Sequence, residues 1–223
     1  MDLRFFLAQR VSFIRWFYEM SSVPFVERKR QISAADEPFI PPLGDTSEPP
    51  FLAEWIDAEE SLQLLGRLCL STLTSVFHLY LKTTVGRVGV TLDASDNAAF
   101  KNGWFAGYQA YFARRLCIQF ADSPCGLRLF EEIVLARNRT QHPDSITNCR
   151  AHYSISDLEK LCTPTLIQEN FASTFCDWNE EEHIWFAAPP IDVTKEKLFA
   201  ALLEVERFAG WVERELQKRL VIT

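Results

Sequence analysis

The fold of this protein is decided by residues 54–82, EWIDAEESLQLLGRLCLSTLTSVFHLYLK. Mostly apolar residues recur there at helical spacing and form a stripe: Leu62, Leu65, Cys69, Thr72, Val76 and Leu79. Four neighbouring side chains widen this stripe: Leu64, Leu68, Leu73 and Phe77. A stripe of this width contacts more than one neighbouring element. We therefore expect a helix about 40 Å long that is buried on more than one side.

Apolar periodicity predicts further helices on both sides of this stretch. They cover approximately residues 3–20, 102–121, 125–142, 154–161 and 192–219. The segment 175–190, FCDWNEEEHIWFAAPP, instead predicts two short strands that form a small β-hairpin before the last helix. The expected fold class is therefore all-α, a helical bundle of four to five helices with one small hairpin.

Two stretches lack this periodicity. Residues 21–50 contain six prolines, at positions 24, 38, 41, 42, 49 and 50, which predict an irregular segment rather than a long helix. Residues 83–102 predict a connector with a short strand near 87–92. On this basis we divide the chain into an N-terminal helix and Pro-rich linker, residues 1–52, and a helical domain, residues 53–223.

Composition narrows the classes of function. The 223 residues carry a net charge of −7, which argues against a broadly basic nucleic-acid surface and leaves a narrow basic cleft open. The six cysteines include no CxxC pair and no zinc-like spacing, so we expect a reducing, cytoplasmic environment and neither metal nor cofactor. Arginines interrupt the N-terminal helix, so we expect no signal peptide and no membrane partner.

The chemistry is concentrated in residues 125–150, CGLRLFEEIVLARNRTQHPDSITNCR. A helix is expected to end before Pro143. Its apolar row leads to Arg137, while Asn138 and His142 are one turn apart in the neighbouring row. Arginine can hold a phosphate, histidine can transfer a proton near neutral pH, and asparagine can orient either partner.

A purely structural explanation of these residues is also open. Cations in the last turns of a helix are stabilised by its dipole, by about 0.3–1 kcal/mol each. Arg137, Arg139 and His142 fit that pattern, and a helical dimerisation domain would then need no further function. The neighbouring Glu131 and Glu132 are expected to be solvated, although either could pair with Arg137 or Arg139.

The order R-N-x-x-x-H, at the end of a helix in a helical domain, resembles the motif of HEPN domains (higher eukaryotes and prokaryotes nucleotide-binding). The resemblance covers roughly residues 53–219 and includes the Ile-Asp-Val-Thr entry, residues 191–194, into the last helix. It implies a metal-independent endoribonuclease that cleaves RNA by attack of the ribose 2′-OH. Arg137 would bind the phosphate, His142 would act as general acid/base, and Asn138 would position one of them.

The resemblance further implies a homodimer whose two motifs line one cleft, with RNA as substrate and an antitoxin or other regulatory protein as partner. Toxin–antitoxin systems and antiviral defence are the expected settings. Asp144 stands where some family members have a tyrosine, so control by modification of that tyrosine is not expected here. The alternative within the same family is a non-catalytic module that binds nucleotide or protein.

Overall fold

The computed structural model describes residues 2–43, 48–89, 93–142, 150–168 and 189–220. These contain seven α-helices and one 3₁₀ turn, at Phe120–Asp122. The helices are α1 (Leu3–Ala34), α2 (Leu52–Val88), α3 (Ala94–Phe100), α4 (Trp104–Leu116), α5 (Leu127–Gln141), α6 (Ile155–Leu161) and α7 (Lys195–Leu220). The all-α prediction is confirmed. The predicted hairpin lies almost wholly outside the described residues, within which the strand-like pairing is an isolated bridge between His152 and Pro190.

The long helix α2 forms the centre of the molecule, because α1, α4, α5 and α7 all pack against it. Burial on more than one side is therefore as expected. The predicted stripe is wrong at three of its leucines, since Leu64, Leu68 and Leu79 are about half exposed. By length and composition α2 is also apolar enough to cross a membrane. More than half of its most apolar stretch is buried against the other helices, which is typical of a core helix.

Helix α1 is longer than the sequence pattern predicts, and the irregular segment expected from residue 21 is wrong as far as Ala34. Proline in a helix lacks an N–H and leaves the carbonyl four residues earlier without its donor. Pro24 lies on the exposed side of α1, where water can satisfy the Met20 carbonyl. Beyond the proline, Lys29 pairs with Glu59 of α2 and fastens the helix to its neighbour.

One face of α1 belongs to the core. Leu7, Val11, Ile14 and Tyr18 are buried against α2 and α7. The spacing of these side chains is that of one helical stripe, so the N-terminal helix packs along the bundle. The division of the chain at residue 52 stays a prediction.

The predicted connector at residues 83–102 is largely helical. Helix α2 continues to Val88, so no strand begins at residue 87, and residues 90–92 are not among those described. Asp93 then caps α3 by accepting hydrogen bonds from the backbone N–H groups of Ser95 and Asp96, each at 2.9 Å. The acidic run at 93–97 is thus a helix start, held to α4 by ion pairs with Arg114 and Arg115.

An aromatic cluster joins four of the helices. Phe77 of α2 is fully buried, and four rings surround its ring at centroid distances of 5.2–6.0 Å: Trp104 and Phe105 of α4, Phe130 of α5 and Phe208 of α7. Each of these helices therefore contributes at least one large side chain to a single core.

The chain returns to α2 just before α7. A Cβ atom at Gly66 would lie 2.3 Å from the carbonyl oxygen of Val193, so glycine permits this close approach. Gln63 secures the contact, because its amide nitrogen donates to Asp192 at 2.8 Å and its oxygen accepts from Val193 at 3.0 Å. The Thr194 hydroxyl then accepts a hydrogen bond from the backbone N–H of Lys197 at the start of α7, as an N-cap residue does.

Candidate active site at the end of α5

Helix α5 is fixed on α2 along its length. Its apolar side buries Phe130, Ile133 and Ala136. Towards its end, the side-chain amide of Gln141 donates to the Ser71 hydroxyl of α2 at 2.8 Å. The last turn, which carries the R-N-x-x-x-H residues, is therefore held in place by the scaffold.

Arg137 and Asn138 are brought together on this turn. Arg137 is half-buried at the edge of the core, and its Nη1 donates to the Asn138 Oδ1 atom at 3.0 Å. Asn138 is itself exposed. The amide therefore orients one side of the guanidinium, which leaves its other N–H groups available to an oxyanion.

His142 lies at the helix end, one turn beyond Asn138. Helix α5 ends at Gln141, and His142 is its C-cap, with φ −129° and ψ 70°. Its backbone N–H donates to the Asn138 carbonyl at 2.9 Å, while its imidazole is exposed. His142 therefore stays one helical turn beyond Asn138, as predicted, although its own backbone has left the helical conformation. Pro143 lies outside the described residues.

A second histidine is close to this end of the site. His78 of α2 stacks on Trp104, with ring centroids 4.7 Å apart. Burial lowers the pKa of His78, and the positive charges of Lys82 and Arg137 lower it further. Both cations therefore act on this one histidine, although the protein as a whole is acidic. In the sequence His78 reads only as a core residue, because nothing local marks its proximity to Arg137.

The carboxylate of Glu132 is buried on the core side of α5. The expectation that Glu132 is solvated is therefore wrong. Only 2% of Glu132 is exposed. It accepts hydrogen bonds from the backbone N–H groups of Thr165 at 2.8 Å and Leu166 at 2.6 Å, the Thr165 hydroxyl at 2.6 Å and the Tyr153 hydroxyl at 3.3 Å. Its position four residues before buried Ala136 was the signal available in the sequence.

Arg139 has a structural role, unlike Arg137. Its Nε donates to Asp157 at 2.6 Å and its Nη2 donates to the Ser154 hydroxyl at 2.7 Å. Burial acts to raise the pKa of Asp157, but hydrogen bonds from Arg139 and Ser154 outweigh it and hold that pKa below its usual value. Arg139 therefore fastens α5 to the start of α6.

A buried arginine, Arg67 of α2, forms a separate polar cluster. Burial lowers the pKa of Arg67, and the neighbouring carboxylates of Glu60 and Asp192 offset that shift. Asp192 also accepts from Lys197 of α7 at 2.6 Å. Because these charges compensate one another, the cluster serves to hold the segment before α7 against α2.

The end of α5 thus presents an oriented arginine, an amide and an exposed imidazole. This set suits binding of an anionic group and proton transfer near neutral pH. Over the described ranges, no three His, Cys, Asp or Glu side chains group as metal ligands. Comparisons with protein-family models, with curated proteins and with solved structures find no match to this chain.

Proposed function

We propose that this protein is an endoribonuclease of the HEPN type. It cleaves RNA without a metal ion, at a site composed across a homodimer, in toxin–antitoxin or antiviral defence. The observation that carries the proposal is the placement of Arg137, Asn138 and His142 on one helix end that the rest of the bundle holds in position. The resemblance of the motif to HEPN domains supplies the reaction.

In the proposed reaction the ribose 2′-OH attacks the adjacent phosphorus atom, and the bond from phosphorus to the 5′-oxygen breaks. A 2′,3′-cyclic phosphate and a free 5′-OH are formed. Arg137 binds the non-bridging oxygens and stabilises their growing charge. With one His142 from each protomer, one imidazole accepts the 2′-OH proton and the other, protonated, donates to the leaving oxygen.

The electrostatics of the described residues support a phosphate at this position. The chain as a whole is acidic, yet burial first and then the charges of Lys82 and Arg137 lower the pKa of His78. Cations that act locally on an acidic protein attract a phosphodiester without giving tight, non-specific binding to long nucleic acid. The exposed His142 needs a second protomer or the substrate beside it to be oriented, which is consistent with a composite site.

A non-catalytic module that binds nucleotide or protein is the second candidate. The observation in its favour is the geometry of a single protomer, where no hydrogen bond among the described residues joins the His142 imidazole to Arg137 or Asn138. Such a site would still bind phosphate through Arg137. Binding of RNA or nucleotide without any cleavage would select this candidate.

The proposal is tested with purified full-length protein and labelled single-stranded RNA in the presence of a chelator. We expect cleavage by the unaltered protein and a loss of at least about 100-fold in Arg137→Ala and His142→Ala, because general acid–base catalysis contributes about 10²–10⁴-fold. RNA with 2′-O-methyl groups should not be cleaved, since the nucleophile is blocked. Products should end in a 2′,3′-cyclic phosphate.

Arg128→Ala is the matched control, because Arg128 is an exposed arginine in the first turns of the same helix. It should retain the activity of the unaltered protein. Cleavage that requires a metal ion, or that persists in both Arg137→Ala and His142→Ala, contradicts the proposal.

A further inference from the structure

Helix α1 has a second apolar face that no part of the described structure covers. The side chains exposed on it by 42–60% are Phe6, Phe13, Phe17 and Met20, with Phe5, Trp16 and Val23 at its outer edge. Phe6, Phe13, Phe17 and Met20 lie about 120° around α1 from the face that carries Leu7, Val11 and Tyr18 into the core. A helix that is apolar on both sides is normally buried on both sides.

This face continues onto α2. Phe6 and Leu79 line the same groove between the two helices, together with Arg10 and Thr83. The helices are antiparallel, since Leu7 lies against Val76 and Tyr80 whereas Lys29 pairs with Glu59. Later turns of α1 therefore meet earlier turns of α2, which places Phe13, Phe17 and Met20 beside the exposed Leu68 and Leu64.

The exposed strip of α2 runs between α1 and α5. Around α2, Val76 and Tyr80 face α1, while Ser71 and Thr74 bond α5. At 100° per residue, Leu64, Leu68, Thr72, Ser75 and Leu79 occupy the outward arc between these two contacts. The strip contains no charged residue, as is usual at the centre of a protein interface.

The combined surface has the size of a dimer interface. We call it the α1/α2 face: Phe6, Phe13, Phe17, Met20, Leu64, Leu68 and Leu79, each about half exposed. With about 200 Å² for a large side chain, it presents roughly 700 Å² of apolar area. The largest apolar patch of a monomer is about 300–600 Å², and a stable complex buries about 800 Å² on each partner.

We propose that the α1/α2 face is the surface through which two copies of this chain associate. Apart from Arg10 in the groove between the helices, the face is apolar, and an apolar face of this area is complementary to itself, as a two-fold interface requires. It also borders α5 on the side where Arg137 lies near His78. The inference rests on the proposed function in one respect, which is that the partner is a second copy of this chain. The proposed function requires a second copy because two α5 helices must share a cleft.

The test is sedimentation velocity on the full chain over about 1–100 µM. We expect a dimer with a dissociation constant of about 1 µM or lower. Phe13→Glu on α1 and Leu68→Glu on α2 should each raise that constant at least 30-fold, an effect of about the size of an interface hot spot. Circular dichroism checks that each variant keeps its helix content.

The matched control is Leu203→Glu on α7, because Leu203 is 50% exposed and Leu68 is 51% exposed. It should leave the dimer unchanged. A monomer at every concentration overturns the inference, whether the face stays free in solution or binds added anionic lipid vesicles. A dimer that survives both Phe13→Glu and Leu68→Glu also overturns it.

The two proposals fail separately. A dimer that dissociates in Phe13→Glu but never cleaves RNA supports the interface and contradicts the proposed function. Cleavage that depends on His142 but survives, with the dimer, in both interface variants supports the proposed function and contradicts this interface.

Discussion

Glu132 and Arg137 are five residues apart on α5 and have different structural surroundings. Glu132 is buried, with four donors from the segments after α5 converging on its carboxylate. Arg137 is half-buried at the edge of the core and bonds the exposed Asn138. A carboxylate that accepts several hydrogen bonds inside the protein is needed for stability. A side chain at an exposed edge of the core can instead take part in ligand binding.

Glu132→Ala is expected to lower the free energy of unfolding by about 3 kcal/mol, because it leaves the buried Leu166 N–H and Tyr153 hydroxyl without an acceptor and removes both bonds to Thr165. Urea denaturation at neutral pH measures the loss. Glu131→Ala is the control, since Glu131 is the exposed neighbour, and it should change stability by no more than about 0.5 kcal/mol. Equal effects of the two substitutions would contradict the structural role of Glu132.

At the scale of elements, the polar clamp between α5 and α6 depends on ionisation. Asp157 belongs to the capping box of α6 and accepts from Arg139 of α5. Its pKa is lower in the folded protein than in the unfolded chain, whose value is near 3.8. The clamp therefore contributes its full stability above pH 4 and loses it as the pH falls through the depressed folded pKa.

Asp157→Asn should destabilise the protein at pH 7 by about 1–2 kcal/mol, the usual range for a hydrogen bond to a charged group. The difference between the variant and the unaltered protein should shrink as the pH is lowered below about 4, where the unfolded aspartate becomes protonated. Urea unfolding at several pH values tests this. Glu159→Gln, at an exposed position of α6, is the control and should show no such pH-dependent difference.

Helix α1 is longer than its local sequence pattern predicts. A proline at position 24 correctly marks a position of low helix propensity, at a cost of about 3 kcal/mol inside a helix. The helix continues because its later turns are fastened to α2 through Lys29, which pairs with Glu59 and lies 4.3 Å from the Trp55 ring centroid. Contacts between elements outweigh the local preference there.

For the whole molecule, the aromatic cluster around Phe77 makes the bundle one cooperative unit. Its rings come from α2, α4, α5 and α7, so the loss of one ring weakens four helices together. The R-N-x-x-x-H residues lie outside this cluster. Stability and the proposed activity should therefore respond to different substitutions.

Phe77→Ala is expected to cost about 3–5 kcal/mol, because it opens a cavity where the surrounding rings cannot fully collapse. Thermal and urea unfolding should show one common, lowered transition. Leu203→Ala, at a half-exposed position of α7, should change stability by less than about 1 kcal/mol. A Phe77→Ala protein with unchanged stability would contradict the central role of this ring.

The sequence by itself determined the helical class and the positions of the long helices. Apolar residues repeat with the helical period, and that signal is local to each segment. It also indicated the R-N-x-x-x-H set at a helix end, because Pro143 and the residue spacing are local features. The catalytic roles of Arg137, Asn138 and His142 stay a prediction.

The tertiary structure decided which side of each helix is covered. The burial of Leu68 and of Glu132 depends on elements that are distant in the chain. The sequence therefore predicted a buried Leu68 and a solvated Glu132, and both predictions are wrong. The same contacts carried α1 past Pro24 and brought His78 within electrostatic reach of Arg137. The physical reason is that periodicity defines the faces of a helix, whereas burial depends on the partners that the folded chain brings to each face.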